Sequence, residues 1–312
     1  MNASIILLTY NKSDLTVACL KSLRANTPTK FIDDVIVIDN KSIDDTLEKL
    51  KSFDWIKVIK NEKNLGFAHG CNQGAKKAKN NALIFLNNDT EVQKGWIEPL
   101  LVALQDETVG VAGSKLLFPD GTIQHAGIVI SKDHIPRHIY YRENDDSKYV
   151  NYQRDFQAVT AACFALKGDI FFSINGFDEV YKNGLEDVDL CLRIKEKNLR
   201  VVYVPKSVVI HHESMSPGRS KYNDHNLDTY LSRWSNIISD EGEKYREDGF
   251  SKLYILHKSM DNYFYEERNG KNNILFGITR FLYIFSQRIW KALKLLIKFD
   301  IRSLVGKFRN LY

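Results

Sequence analysis

Cysteine is scarce in this sequence, with four residues in 312, and no two of them form a CxxC pair. Cysteines this far apart exclude a disulfide framework and the ligand spacing of a zinc finger. They are typical of a protein that works in a reducing cytosol, so we expect a cytoplasmic location. The four residues are Cys19, Cys71, Cys163 and Cys191.

Long hydrophobic runs are also missing. The first apolar run, SIILLTY, has seven residues, whereas a membrane-spanning helix needs about 20. It is also too short for the core of a signal peptide. We therefore expect neither feature. Apolar residues still make up 44% of the chain and charged residues 27%, which is normal for a globular protein and excludes wholesale disorder.

Positive charge is concentrated at one end of the chain. From residue 271 onward there are nine Lys or Arg residues and one Asp, which give this segment a net charge of +8. The whole chain has a net charge of only +5. The first 270 residues are therefore net acidic. This is not the basic folded surface of a nucleic-acid-binding protein, so we expect no nucleic acid partner.

The carboxyl-terminal tail, residues 274–312, is predicted to be an amphipathic helix. Bulky apolar residues recur at steps of three and four between Ile278 and Leu296, and basic residues such as Arg280 and Lys291 fall on the other face. This pattern favours peripheral binding to the cytoplasmic face of the plasma membrane. The alternative is a helix that packs on the body of the protein or forms a homodimer.

Short β-branched runs alternate with helix-like stretches over the first 113 residues. Strand, helix and strand at this spacing predict the α/β class, with a Rossmann-like, mostly parallel sheet and crossover helices. The predicted strands are 4–10, 34–40, 56–61, 82–88 and 109–113, and the predicted helices lie near 13–26, 42–52, 69–80 and 94–106.

The pattern changes after residue 113. A hairpin with Asp120-Gly121 at its turn follows, and two further strand-like runs, RVVYVP and SVVIHH, end at His212. We predict a catalytic domain over 1–227, with a nucleotide-binding half (1–113) and an acceptor half (114–227). A helical carboxyl-terminal region, 228–312, would follow it.

Unusual polar residues stand where the predicted strands end, and parallel sheets bind ligands at the carboxyl ends of their strands. Asp89, in the run LNNDTEV, could hold a hard divalent cation through oxygen. The alternative is that Asp89 or Thr90 caps the helix that includes Trp96. From the residues alone, the two interpretations are equally good.

Three other groups of residues could have a functional role. Glu186 and Asp187 open a predicted helix, where acids complement the helix dipole, but they could also supply a general base. His211 and His212 end an apolar strand and could bind a metal or simply form hydrogen bonds. Gly66, Gly70 and Gly74 are spaced by four, which places them on one helix face and permits a close approach of backbone or ligand.

Five segments of the sequence carry a common pattern: ILLTYNK, VIVIDNKSIDDT, NEKNLGFAHGCNQGAKKA, FLNNDTEV and INGFDEVYKNGLEDVDLCLRI, with VVYVPKSVVIHHES behind the last. Together these segments resemble an inverting family 2 glycosyltransferase with the glycosyltransferase A fold, of the rhamnosyltransferase-like subgroup. They occur in the family's order and cover roughly residues 3–215.

The resemblance implies a donor pocket at the strand ends. Asp39 would hydrogen-bond the base of the nucleotide, which would be uracil or thymine. The pocket for base and ribose would be lined by Thr9, Tyr10 and Asn11, and the wall around the ribose and diphosphate by Asn61, Asn64, Gly66 and Asn72, with Asn88 beside the metal position.

The resemblance also implies the catalytic groups. Asp89 would be the carboxylate ligand of Mn²⁺ or Mg²⁺, in a motif whose first acid is here replaced by Asn87. His211 would be a downstream metal or diphosphate ligand, with His212 as the second choice. Asp187, held near Glu186, would be the general base.

The resemblance predicts metal-dependent, inverting transfer of a hexose or deoxyhexose. The donor would be a UDP- or dTDP-sugar, and the acceptor a glycan or lipid-linked hydroxyl in cell-surface polysaccharide synthesis. A catalytically inactive, glycan-binding or scaffolding member of the fold is the alternative. A sugar-1-phosphate nucleotidyltransferase is disfavoured, because the loop TYNKSDL has no glycine.

Overall fold

The computed structural model describes residues 1–79, 81–213 and 222–250. The predictions for the amphipathic tail lie outside the described residues. The strands are β1 (Ala3–Thr9), β2 (Ile32–Asp39), β3 (Lys57–Lys60), β4 (Ala82–Asn87), β5 (Thr90–Val92), β6 (Val109–Leu117), β7 (Ile123–His125), β8 (Ile128–Ile130), β9 (Pro136–His138), β10 (Arg154–Phe156), β11 (Cys163–Lys167) and β12 (Arg200–His211). The α-helices are α1 (Ser13–Asn26), α2 (Thr46–Leu50), α3 (Phe67–Ala75), α4 (Ile97–Ala103), α5 (Gly168–Ser173), α6 (Glu186–Glu196), α7 (Asn223–Trp234) and α8 (Glu243–Glu247).

One sheet organises the molecule, and its strand order is β10-β12-β6-β11-β4-β1-β2-β3. The strands β4, β1, β2 and β3 are parallel neighbours. Nearly every side chain of β1 and β4 is buried, because helices cover both faces, and this is why these strands are continuous apolar runs in the sequence. The predicted α/β fold with crossover helices is confirmed.

Two features of the sheet were not predicted from the sequence. β11 lies antiparallel between β4 and β6, so the fifth predicted strand does not pair with the fourth. The runs RVVYVP and SVVIHH form a single strand, β12, which pairs in parallel with β6 and has an irregular register between Val204 and Val208. The extra residues there let the strand bend without ending.

The predicted hairpin is confirmed: Leu117 pairs with Ile123, and Gly121 has a φ of 80° at the turn. β6 spans residue 113 and α7 spans residue 227; the predicted division into domains stays a prediction. Within the ranges that the structure describes, no helix is both long and apolar enough to span a bilayer.

The glycines of α3 allow this helix to lie directly on the sheet. A Cβ atom on Gly70 would lie 2.3 Å from Leu8 Cδ1. A Cβ on Gly74 would lie 2.6 Å from Ile38 Cδ1 and 2.7 Å from Ile6 Cγ2. The groups that closely approach these glycines are therefore side chains of β1 and β2.

We expect Gly74→Ala to lower the free energy of unfolding by up to about 2 kcal/mol. Overpacking a buried site costs about 1–3 kcal/mol, which outweighs the helix propensity of about 1 kcal/mol that alanine gains over glycine. Urea denaturation of the variant and the parent protein measures the difference. A stabilised variant would show that the Ile6 and Ile38 side chains move aside.

Candidate functional site at the carboxyl ends of the strands

The loops that follow β1 and β2 are tied together. The Asn11 backbone N–H donates to Ser42 Oγ at 2.8 Å, and Asn11 Oδ1 accepts from the Ile43 N–H at 2.8 Å. Asn11 has a φ of 57°, so the chain turns sharply out of the sheet. Buried Asp39 accepts from the Ser42 N–H at 3.2 Å. The predicted base-binding carboxylate is thus held in place at the end of its strand.

The other residues of this loop differ in exposure. Thr9 is buried, and its hydroxyl lies 2.8 Å from that of Thr16 at the start of α1. Tyr10 is exposed, which leaves its ring available to a ligand. The Asn88 amide donates to the hydroxyls of Thr9 and Thr16 at 3.3 and 3.0 Å. Asn88 therefore joins the loop after β4 to the loop after β1.

Asn40, which the sequence prediction did not assign to the site, organises the next part of it. Its Oδ1 accepts from Asn61 Nδ2 at 3.1 Å and from the Leu65 N–H at 3.0 Å. Its Nδ2 donates to Asn64 Oδ1 at 2.9 Å and to the Gly66 carbonyl at 3.2 Å. One buried amide thus brings together three residues of the predicted ribose–diphosphate wall. Its signal in the sequence is a polar residue at a strand end.

The fourth residue of that wall, Asn72, has its amide engaged elsewhere. Asn72 Nδ2 donates to the Phe177 carbonyl at 2.8 Å and to Glu179 Oε1 at 3.1 Å, and Asn72 Oδ1 accepts from the Phe177 N–H at 2.9 Å. These bonds join α3 to the segment that leads to α6. A role for Asn72 at the ribose or diphosphate stays a prediction.

Asp89 and His211 are brought together by strand pairing. β5 pairs antiparallel with the end of β12, with His211 opposite Thr90, and the His212 N–H donates to the Asp89 carbonyl at 2.9 Å. The His211 Nε2 and Asp89 Oδ1 atoms are 3.0 Å apart. Each residue is 8% exposed, so the pair is partly shielded from water.

The alternative role for Asp89 or Thr90, capping the following helix, is wrong. Residues 90–92 form the strand β5, and α4 begins at Ile97 with Trp96 as the residue before it. The reason is the pairing with β12, which holds this segment in an extended conformation.

His212 lies in a separate contact. Its Nε2 is 2.6 Å from Glu91 Oε1, whereas the His211 Nε2 is 3.0 Å from Asp89 Oδ1. Of the two histidines considered from the sequence, His211 is the one beside Asp89.

The donor set at Asp89 and His211 fits a divalent cation such as Mn²⁺ or Mg²⁺. A carboxylate oxygen and an imidazole nitrogen 3.0 Å apart have the spacing of neighbouring ligands in an octahedral shell with bonds of about 2.1 Å. In the part of the chain that the structure describes, no group of three or more His, Cys, Asp or Glu side chains could hold a metal. A cation at this pair would therefore need further ligands from water or substrate phosphate.

Asp187 stands at the start of α6, after an unusual turn. Asn183, Gly184 and Leu185 all have positive φ angles, of 56°, 154° and 68°. Positive φ at non-glycine residues costs energy, and such strain is concentrated at functional sites. Buried Glu186 accepts a hydrogen bond from the Gly184 N–H, which helps to hold this turn.

The Asp187 carboxylate is half-buried and oriented. Its Oδ2 accepts from the Ala161 N–H at 3.1 Å and its Oδ1 from the Val188 N–H at 2.9 Å. The next residue, Ala162, accepts from the Asn87 N–H at 3.0 Å through its carbonyl. The short segment Ala161–Ala162 therefore links Asp187 directly to the loop that carries Asp89.

The turn before α6 is also tied to α3. Asn183 Oδ1 accepts from the Phe67 N–H at 3.1 Å, at the first residue of α3. Burial, and then the negative charge of Glu186, raise the pKa of Cys71 on α3 well above its usual value. Asn183 was missed by the sequence prediction, although it stands in the same motif as Asp187.

Asp189, one turn further along α6, has a structural role. It is fully buried and accepts from Arg193 Nε at 2.7 Å, Trp234 Nε1 at 3.0 Å and the Tyr181 hydroxyl at 3.2 Å. Arg233 Nη1 lies 3.3 Å away. These bonds fasten α7 to α6 and hold the first turn of α6 in place.

A family model described as "Glycosyl transferase family 2" matches residues 4–165, slightly more than half of the chain. A second model, described as the N-terminal domain of galactosyltransferase, matches residues 145–215. Together the two matches include every residue of the candidate site.

Curated relatives support the same assignment. The O-antigen biosynthesis protein RfbC of Myxococcus xanthus is 34% identical over 221 residues, which cover 68% of this chain and 17% of RfbC. N-acetylglucosaminyl-diphospho-decaprenol L-rhamnosyltransferase of Mycobacterium tuberculosis is 24% identical over 254 residues, which cover 73% of this chain and 82% of that protein. The chain spans only 17–37% of the length of the first three curated relatives it matches.

Solved structures share the fold. GalNAc-T7 with UDP, GalNAc and Mn²⁺ gives a TM-score of 0.59 at 20% identity, covering 79% of this chain and 54% of that one. The mannosyltransferase PcManGT of Pyrobaculum calidifontis, in complex with GDP-Man and Mn²⁺, gives 0.57 at 14% identity, with coverages of 94% and 84%. The predicted glycosyltransferase A fold is confirmed.

Proposed function

The chain belongs to glycosyl transferase family 2, and on that basis we propose that it transfers a sugar from a nucleoside-diphosphate sugar to a hydroxyl group. The acceptor is a glycan or a lipid-linked glycan in cell-surface polysaccharide synthesis. RfbC and the mycobacterial rhamnosyltransferase support this acceptor class by their names. They also favour a deoxyhexose such as rhamnose as the transferred sugar.

The observation that carries the proposal is the link between Asp187 and the Asp89 loop through Ala161 and Ala162. It connects a carboxylate that can accept a proton to the loop that carries one of the two proposed cation ligands. Glycosyl transfer needs both groups, because a hydroxyl must lose its proton while a diphosphate leaves.

In the proposed reaction Asp187 accepts the proton of the acceptor hydroxyl as the new bond forms. The hydroxyl attacks opposite the leaving diphosphate, so the configuration at the sugar carbon is inverted, through an oxocarbenium-like transition state. Asp89 and His211 would hold a divalent cation, Mn²⁺ or Mg²⁺, which when bound neutralises charge on the diphosphate. Asp39 and the loop from Thr9 to Asn11 bind the base and ribose of a UDP- or dTDP-sugar.

A donor panel tests the proposal. The purified protein is incubated with UDP-, dTDP- and GDP-sugars in the presence of Mn²⁺, Mg²⁺ or a chelator, with release of nucleoside diphosphate as the readout. We expect cation-dependent release from a UDP- or dTDP-sugar. Absence of both release and calorimetric nucleotide binding would contradict the proposal and favour a non-catalytic, glycan-binding protein.

We further propose that the basic tail attaches the enzyme to anionic membrane at its cytoplasmic face, where a lipid-linked acceptor lies. Replacing Lys291, Lys294 and Lys298 with Gln in the full chain is expected to weaken binding to anionic vesicles by about 100-fold, since each basic residue near such a surface contributes about 1 kcal/mol. Vesicle co-sedimentation measures the change.

The matched control replaces three exposed lysines of the body, Lys76, Lys77 and Lys79, with Gln. This variant is expected to bind vesicles like the parent protein. Equal losses in the two variants would indicate a general charge effect. If neither variant loses vesicle binding, the result would favour the alternative in which the tail is a helix that packs on the body or joins two copies of the chain.

A further inference from the structure

We propose that Gln124 is a positioning residue for the cation site, which fixes the tautomer of His211 so that the ring presents an unprotonated Nε2 beside Asp89. The inference rests on the proposed function, because it concerns the same cation site. It assigns a role to a buried side chain on β7 that lies outside the motifs of the sequence analysis.

The first step is the orientation of the Gln124 amide. Its Nε2 lies 3.5 Å from the His211 carbonyl oxygen and 3.4 Å from Glu213 Oε2. Both of these oxygens are acceptors, so the Gln124 nitrogen must face them. The Gln124 oxygen is then the atom that faces the imidazole ring.

The second step is the position of the ring proton. Gln124 Oε1 lies 2.6 Å from His211 Nδ1, and a carboxamide oxygen can only accept a hydrogen bond. Nδ1 therefore carries the hydrogen. The neutral ring then has its lone pair on Nε2.

A second contact agrees with this tautomer. Asn87 Nδ2, which is a donor only, lies 3.4 Å from His211 Nε2, as expected if Nε2 accepts. The same Nε2 is 3.0 Å from Asp89 Oδ1. These two atoms are close enough to bind one cation together.

The backbone keeps Gln124 in this place. β7 pairs with β6 on both sides of Gln124, through Leu117 with Ile123 and Leu116 with His125. The Gln124 side chain is only 4% exposed. Burying an amide costs free energy unless it is hydrogen-bonded, and here its bonds go to His211 and to Glu213, two residues further along.

The test compares Gln124→Leu with a matched control, Gln157→Leu. Gln157 is also a buried amide, 3% exposed, and both its ends are bonded to the backbone of Ser239. Each variant loses one buried amide and keeps a similar volume. Urea denaturation establishes that both are folded and how far each is destabilised.

The first readout is Mn²⁺ affinity at pH 8 in the presence of uridine diphosphate, from the electron paramagnetic resonance signal of free Mn²⁺. Loss of the partner that orients a histidine ligand typically weakens metal binding by about 10- to 100-fold. We expect that loss in Gln124→Leu and none in Gln157→Leu. Equal affinities in Gln124→Leu and the parent protein, or equal losses in both variants, would overturn the inference.

The second readout is the tautomer itself, from long-range ¹H–¹⁵N correlation of the histidine rings in the metal-free protein. The parent protein is expected to show His211 protonated at Nδ1, and Gln124→Leu to show the Nε2-protonated form or a mixture. An Nε2-protonated ring in the parent would overturn the inference while leaving the proposed function standing. A parent that binds no Mn²⁺ with any nucleoside diphosphate would overturn the cation site and this inference together.

Discussion

Asp187→Asn is expected to lower the rate of glycosyl transfer by about 10²- to 10⁴-fold, the usual contribution of a positioned general base. An asparagine oxygen can still accept one of the two backbone hydrogen bonds that Asp187 accepts from Ala161 and Val188. The side chain therefore keeps its place and loses its ability to take a proton. Steady-state kinetics with saturating donor and acceptor measure the loss, and calorimetry should find nucleotide affinity unchanged.

The control for this variant is Asp178→Asn, in the segment that precedes the same helix. Asp178 pairs with Arg233 at 2.7 Å and accepts from the Val180 N–H at 2.9 Å. Asp178→Asn removes this partly exposed ion pair, which contributes up to about 1 kcal/mol to the free energy of unfolding. A rate loss as large as that of Asp187→Asn would show that the loop conformation, and not a proton acceptor, is what the reaction needs.

Asp89→Asn is expected to lower cation-dependent turnover by about 10³-fold, because a bound cation supplies several kcal/mol of charge stabilisation to the leaving group. The substitution keeps the shape of the side chain and removes its charge next to His211, 3.0 Å away. Turnover is measured against Mn²⁺ concentration, and the rate with a chelator gives the value without cation. We expect a lower maximum rate and a smaller increase of the rate with Mn²⁺.

Glu91→Gln provides the matched comparison, since Glu91 pairs with the neighbouring histidine, His212, at 2.6 Å. We expect His211→Ala to behave like Asp89→Asn, and His212→Ala to behave like Glu91→Gln with little effect on cation dependence. The reverse ranking would move the cation site to the His212 face of β12 and would contradict the assignment.

The sequence was sufficient for the parallel strands β1 to β4 and for the edge of the sheet where the candidate site lies. Buried parallel strands are continuous apolar runs whatever their neighbours are, so the segments β1, β2 and β4 could be found locally. Thr9 and Asp39 end β1 and β2, and Asp89 follows β4 by two residues. They lie at one edge because parallel strands end on the same side.

What the sequence could not provide depends on contacts between distant segments. Strand adjacency is set by pairing across the whole chain, so nothing local indicates that β11 enters between β4 and β6. The same holds for two of the amides that support the site, Gln124 and Asn183. An amide has no distinctive spacing in a sequence, and its function appears only when both its donor and its acceptor have partners in space.

The position of β12 has a consequence for how the protein is made. β12 is the last strand in the described chain, yet it lies between β10 and β6 and carries His211. Before β12 has been synthesised, one edge of β6 is unpaired, and Asp89 has no histidine beside it. The candidate site is therefore completed late in synthesis, after the ribosome has released the strand that joins β10 to β6.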